Sequence, residues 1–144
     1  MFQWFLVSGV MSADWPQASG PNHNFQVEGE APKAFSVSKN QNVQWRVPLP
    51  STGQGTPIVS RGRVFITSHE PLLKDTETGS DILGLCFDAK TGKELWRRKI
   101  PGTRVTDLSS LFNDNTAASP VANGQHVVFT NVGGAIKCFD YAGK

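Results

Sequence analysis

Short apolar runs, not long amphipathic ones, organise this chain. Val64-Phe65-Ile66-Thr67 and Val127-Val128-Phe129-Thr130 are β-branched and aromatic, the side chains that pack well on a pleated strand. No segment sustains a 3.6-residue apolar period, so no helix is predicted. Glycine turns punctuate the runs. Arg61-Gly62 and Asn123-Gly124 are hairpin signals between apolar stretches. Asp88-Ala89-Lys90-Thr91-Gly92-Lys93 sets Asp at one end and Gly near the other of a tight turn. The pattern predicts four antiparallel strands near 55–60, 63–68, 82–88 and 94–100, then three near 116–122, 126–131 and 135–140.

The two groups of strands are copies of one unit. Thr56-Pro57-Ile58-Val59 through Thr67 matches Ser119-Pro120-Val121-Ala122 through Thr130 at an offset of 63 residues. Leu85-Cys86-Phe87-Asp88 matches Lys137-Cys138-Phe139-Asp140 at an offset of 52. The difference places about 11 extra residues in the first copy, in the polar stretch from His69 to Asp81, where a surface loop tolerates insertion. Gln44-Trp45-Arg46-Val47 pairs with Leu95-Trp96-Arg97-Arg98, and Trp45 and Trp96 are 51 residues apart. A period of this size is that of a β-propeller blade.

At 144 residues the chain is long enough for one ordinary domain, and 38% hydrophobic with 18% charged residues is a globular composition. A net charge of +2 without a basic run gives no case for nucleic acid. Residues 1–13 are apolar and as long as a signal-peptide h-region, but lack a basic start; they read as a signal peptide or a truncated h-region and are far too short to span a bilayer.

Asp88-Ala89-Lys90-Thr91-Gly92-Lys93-Glu94-Leu95-Trp96 resembles the repeat of pyrroloquinoline-quinone-like propellers. Asp140-Tyr141-Ala142-Gly143-Lys144 is similar but one residue shorter, and Asp14-Trp15-Pro16-Gln17 resembles the lead segment of exported bacterial members. The resemblance implies an all-β fold, an incomplete propeller of roughly two four-stranded blades, in which each Trp docks between neighbouring blades. It divides the chain into a lead segment at 14–41 and propeller repeats at 42–144. These repeats comprise an outer strand at 42–49, a blade at 55–100 and a partial blade at 116–144. About one and three-quarter blades are then present, against four to eight in closed propellers, which is expected of a fragment, a truncated reading frame, or a protein needing other copies.

Most chemistry-bearing residues have a structural reading. Trp45 and Trp96 are expected to pack blades. Asp88 and Asp140 are expected to cap turns, with Thr91, Gly92 and Gly143 completing the repeat motif. Cys86 and Cys138 occupy equivalent positions and are expected to be buried free thiols, too far apart for a disulfide. His23, His69 and His126 show no zinc spacing. Asp75-Thr76-Glu77-Thr78-Gly79-Ser80-Asp81 alternates oxygen ligands but has Cys86 where a calcium loop needs its closing Glu, so it reads as a solvated loop. Asn113-Asp114-Asn115 reads as a loop at the face where propellers bind partners. No nucleophile elbow or phosphate loop is present.

No catalytic, cofactor-binding or metal-binding residue is therefore assigned. The resemblance implies a non-catalytic, periplasmic or secreted binding or scaffold propeller. Its partners would be proteins or further blades, with self-association through unpaired blade edges and no nucleic acid or membrane span. It also allows a second role, as part of a quinoprotein alcohol or sugar dehydrogenase holding pyrroloquinoline quinone with calcium, and a third as a sensor domain.

Overall fold

Proline decides where each unit's first strand begins. Pro57 and Pro120 have no N–H to give a ladder, so the strands start after them, at Ile58 and Val121, later than the sequence pattern predicts. In the computed structural model, which describes residues 14–29, 32–71, 80–103 and 114–144, the strands are β1 (Ile58–Ser60), β2 (Arg63–His69), β3 (Ile82–Asp88), β4 (Glu94–Ile100), β5 (Val121–Ala122), β6 (His126–Asn131) and β7 (Ala135–Asp140). Residues 1–13, most of the insertion loop and Asn113 lie outside the described residues. Among the described residues there is no helix.

The strands form two antiparallel meanders, β1-β2-β3-β4 and β5-β6-β7. Their registers are equivalent: Phe65 faces Cys86 in the first, and Val128 faces Cys138 in the second. The seven strands do not close a ring. Residues 42–49, predicted as an outer strand, have no ladder among the described residues; a strand exists only through its hydrogen-bonded neighbour, and no neighbour lies beside them there.

Side-chain alternation builds the core. Ile58, Phe65, Cys86, Trp96 and Ile100 leave one face of the first sheet and meet Ala122, Val127 and Phe129 of the second. The rings of Phe65, Trp96, Phe129 and Phe139 pack edge-on or tilted with centroids 5.9–6.4 Å apart. Gly84 leaves room for this: a Cβ there would sit 3.1 Å from the Phe129 ring. Fully burying each such aromatic stabilises by about 1.5–3 kcal/mol. The opposite face of the first sheet carries Leu83, Leu85 and Phe87, packed with Val47, Val64 and Ile66.

The lead segment lies along the inner strands. Trp15 exchanges both backbone hydrogen bonds with Val59 (2.7 and 2.9 Å), and the Pro16 carbonyl accepts from Ala122 N (2.8 Å). Asp14 accepts from Arg61 N at 3.0 Å. One short segment thus pairs the innermost edges of β1 and β5, which would otherwise offer free N–H and C=O groups.

Candidate functional site

The two ends of the sheets carry different chemistry. One end holds the repeat turns. Asp88 accepts from the amides of Lys90 (3.1 Å) and Thr91 (2.8 Å) and from the Thr91 hydroxyl (2.8 Å). Asp140 accepts from Ala142 N and Lys144 N. These bonds favour the carboxylate, so both groups sit below the ordinary aspartate pKa, Asp88 chiefly through the Thr91 hydroxyl and Asp140 chiefly through the Lys144 amide.

Each turn receives a tryptophan. Trp45 Nε1 donates to Ala89 O (2.8 Å) and its ring lies on Gly92; Trp96 Nε1 donates to Tyr141 O (3.1 Å) and its ring lies on Gly143. Both tryptophans precede their glycine by 47 residues. Both glycines have positive φ, 73° and 80°, and a Cβ would come within 2.7 Å of Trp45 and 3.0 Å of Trp96. Glycine is required at these positions for the backbone and for the ring above it. Arg98 adds a clamp: it donates from Nε to Gly143 O (2.7 Å), with its guanidinium 5.9 Å from the Trp96 ring.

The opposite end gathers the segment before β1, the end of β2, the start of β3, the end of β4, residues 114–118 and the β6–β7 turn. Its polar side chains cross between units. Gln54 N donates to Thr116 Oγ1 (2.9 Å), while Gln54 Oε1 accepts from Asp114 N (3.0 Å). Thr67 Oγ1 donates to Thr116 O (3.1 Å). Asn131 Nδ2 donates to the carbonyls of Ser80 (2.8 Å) and Ile100 (3.0 Å), and Asn115 Nδ2 to Ser80 O (2.9 Å). Thr103 Oγ1 donates to Gly133 O (2.8 Å). At the rim, Lys99 pairs with Glu70 (2.7 Å) and Asp81 (2.8 Å); the two carboxylates, Asp81 first, raise its pKa.

His69 and Asp114 meet at this end, Nε2 to Oδ2 3.1 Å, both nearly buried. The pair is within ion-pair range but misaligned, so neither ring nitrogen makes a directed hydrogen bond. Burial works against ionising Asp114, but the hydroxyl and amide of Thr116 and the nearby His69 outweigh it and hold the carboxyl below its ordinary value. Sequence spacing treats His69 and Asp114 as unrelated loop residues. The only signal for the pair is its position, at the end of a strand and just before the next unit's first strand.

The remaining sequence-predicted residues do not converge. His23 is exposed on the lead segment beside Gln17, and His126 starts β6. Among the described residues no three His, Cys, Asp or Glu side chains come together as a metal site. The cysteines differ: Cys86 is buried, with burial pushing its thiol up to about 12, whereas Cys138 is exposed, contrary to the sequence expectation. The physical reason is that β3 is covered on both faces and by β4, while β7 is a sheet edge among the described residues. Ser80 and Asp81 of the acidic loop serve as backbone partners, Asp81 accepting from Gly102 N (3.0 Å).

A family model described as outer membrane protein assembly factor BamB, a pyrroloquinoline-quinone repeat model, matches residues 77–144. No curated protein and no solved structure matches the chain.

Proposed function

Through residues 77–144 the chain belongs to the pyrroloquinoline-quinone-like repeat family, and from that premise we propose that it is a non-catalytic propeller module. It works outside the cytoplasm as a protein-binding scaffold, with the His69–Asp114 end as its docking face. The observation that carries this reading is how that face uses its polar groups. Gln54, Thr67, Thr103, Asn115 and Asn131 each bond to a neighbouring segment. Side chains spent in this way fix the shape of the loops, and a preformed surface binds protein without a large ordering cost. The family description, an assembly factor, is in keeping with such a role.

The test is photo-crosslinking in cells, with the crosslinker placed at Val132 or Lys99 on the docking face, or at Lys90 or Gln125 on the turn face. Discrete adducts with an envelope protein from the first pair alone are expected, together with recovery of the protein outside the cytoplasm. Equal adducts from both faces would overturn the docking face. Turnover of an alcohol or sugar by the full protein with quinone and calcium would overturn the non-catalytic reading.

A further inference from the structure

The turn between β5 and β6 carries a chemistry that its counterpart between β1 and β2 lacks. At the 63-residue offset, Asn123-Gly124-Gln125-His126 stands where the first unit has Ser60-Arg61-Gly62-Arg63. Asn123 is the one asparagine of the chain followed by glycine, and it is exposed. A carboxamide carbon and the amide nitrogen of the next residue can close a five-membered ring, and the chain itself holds them together. Glycine has no Cβ to shield that nitrogen. The turn also fixes the side chain. Asn123 Oδ1 accepts from Gln125 N (2.9 Å) and His126 N (2.8 Å), which folds the carboxamide over the Gly124 peptide. The same two donors polarise its carbonyl and face the oxygen on which charge develops during attack.

The nucleophile is held in check from outside the turn. Gly124 N donates to the Tyr141 hydroxyl (3.2 Å). The Tyr141 ring stands 5.0 Å from Phe65 of the first sheet, so packing between the sheets places the hydroxyl. The first unit has no such group, because Ala89 is the counterpart of Tyr141 at the 52-residue offset. There the equivalent amide, Arg61 N, is held by Asp14 instead (3.0 Å). An amide proton bonded within the protein is released to base only when that bond opens. Arg61 itself lies against Gly124, where an added Cβ would come 2.9 Å from its Nε. A guanidinium so placed favours negative charge on the turn, on the amide nitrogen or on a carboxylate that replaces the carboxamide.

We propose that Asn123 is a site of self-modification by deamidation, and that the Tyr141 hydroxyl sets its rate. When the Tyr141 bond opens, hydroxide removes the Gly124 amide proton and the nitrogen attacks Asn123 Cγ. The bond from Cγ to Nδ2 then breaks. Ammonia leaves, taking its last proton from water, which restores the hydroxide, and a succinimide ring is left. Water opens either carbonyl of that ring, so position 123 becomes aspartate or isoaspartate; nothing is oxidised or reduced. The isoaspartyl form puts an extra methylene into the main chain beside β5, a strand of two residues, and disturbs its register with β6.

The test is incubation of the chain at mildly alkaline pH, with peptide mass spectrometry for the amide-to-acid mass gain and hydrogen exchange at Gly124. Tyr141→Phe keeps the ring on Phe65 and removes the hydroxyl alone; Gly92→Ala weakens the fold away from this turn. The expected result is loss of the amide at Asn123 ahead of every other asparagine. It should run about fivefold faster in Tyr141→Phe, the worth of one net hydrogen bond, and Gly124 exchange should quicken by the same factor. In Gly92→Ala both rates should stay at the parent value. Loss at Asn123 no faster than elsewhere, a rate unmoved in Tyr141→Phe, or equal quickening in Gly92→Ala would each overturn the proposal. Should Tyr141→Phe misfold, the parent alone decides. Urea below the unfolding transition must then change Gly124 exchange and Asn123 loss in equal proportion, and unequal changes would overturn the gating.

Discussion

A carboxylate held by hydrogen bonds in the folded chain gives up more on protonation than one in water. Asp81, Asp88, Asp114 and Asp140 all sit below the ordinary value near 3.8. A depressed folded pKa means that the unfolded chain takes up the proton first as pH falls. The stabilisation is therefore complete above pH 3.8 and is lost as pH drops below it toward the folded values. Urea unfolding midpoints measured from pH 7 to pH 2.5 are expected to fall below about pH 4. Asp114→Asn tests the buried member. Asn keeps an acceptor for the Thr116 amide but no charge opposite His69, so about 1–3 kcal/mol should be lost at pH 7. Below pH 4 the variant should fall less steeply than the parent, since one of the linked protons is gone. An unchanged acid slope would mean that the linkage resides wholly in Asp81, Asp88 and Asp140.

At the scale of the turn and strand, the packing of tryptophan on glycine is the element that repeats. Gly62 and Gly92 isolate its worth, because their φ angles are nearly equal, 71° and 73°. A Cβ at Gly62 meets nothing within 4 Å, whereas one at Gly92 meets the Trp45 ring at 2.7 Å. Gly62→Ala should cost about 1 kcal/mol for the left-handed backbone. Gly92→Ala should cost a further 1–3 kcal/mol or so for overpacking, and in a Trp45→Ala background that extra cost should vanish. Thermal melts of the parent and these four variants decide it; equal losses at the two glycines would mean that Trp45 does not rest on the turn. The Asp-to-Gly turn and the 51-residue spacing of Trp45 and Trp96 were legible in the sequence, but that each ring rests on a turn glycine was not. Also legible were β2, β3, β4, β6 and β7, because alternating apolar residues and glycine turns are local. What was not legible depended on neighbours: the exposure of Cys138, the missing ladder at 42–49, the pairing of Trp15 with Val59, and the meeting of His69 with Asp114. Each is settled by what lies beside the residue, and identical spacing in two units cannot say that one sheet is covered and the other open.

At the scale of the molecule, the two sheets share one core although each resembles a self-contained repeat. In repeat proteins stability is a sum of unit and interface terms, and a weak interface lets units unfold one at a time. Here the interface is strong. Phe129, fully buried, leaves the second sheet, contacts Phe65 and Trp96 of the first, and fills the space above Gly84. The lead segment adds a backbone tie, with Trp15 on β1 and Pro16 on β5. The chain is therefore expected to unfold in one transition. Phe129→Ala should cost about 3–5 kcal/mol, and the loss should be felt in both sheets. In native-state hydrogen exchange the amides of β2 and β3 should lose protection by the same free energy as those of β6. If β2 and β3 kept their protection while β6 and β7 lost theirs, the first sheet would be an independent folding unit. The second would then be held to it only as a docked neighbour.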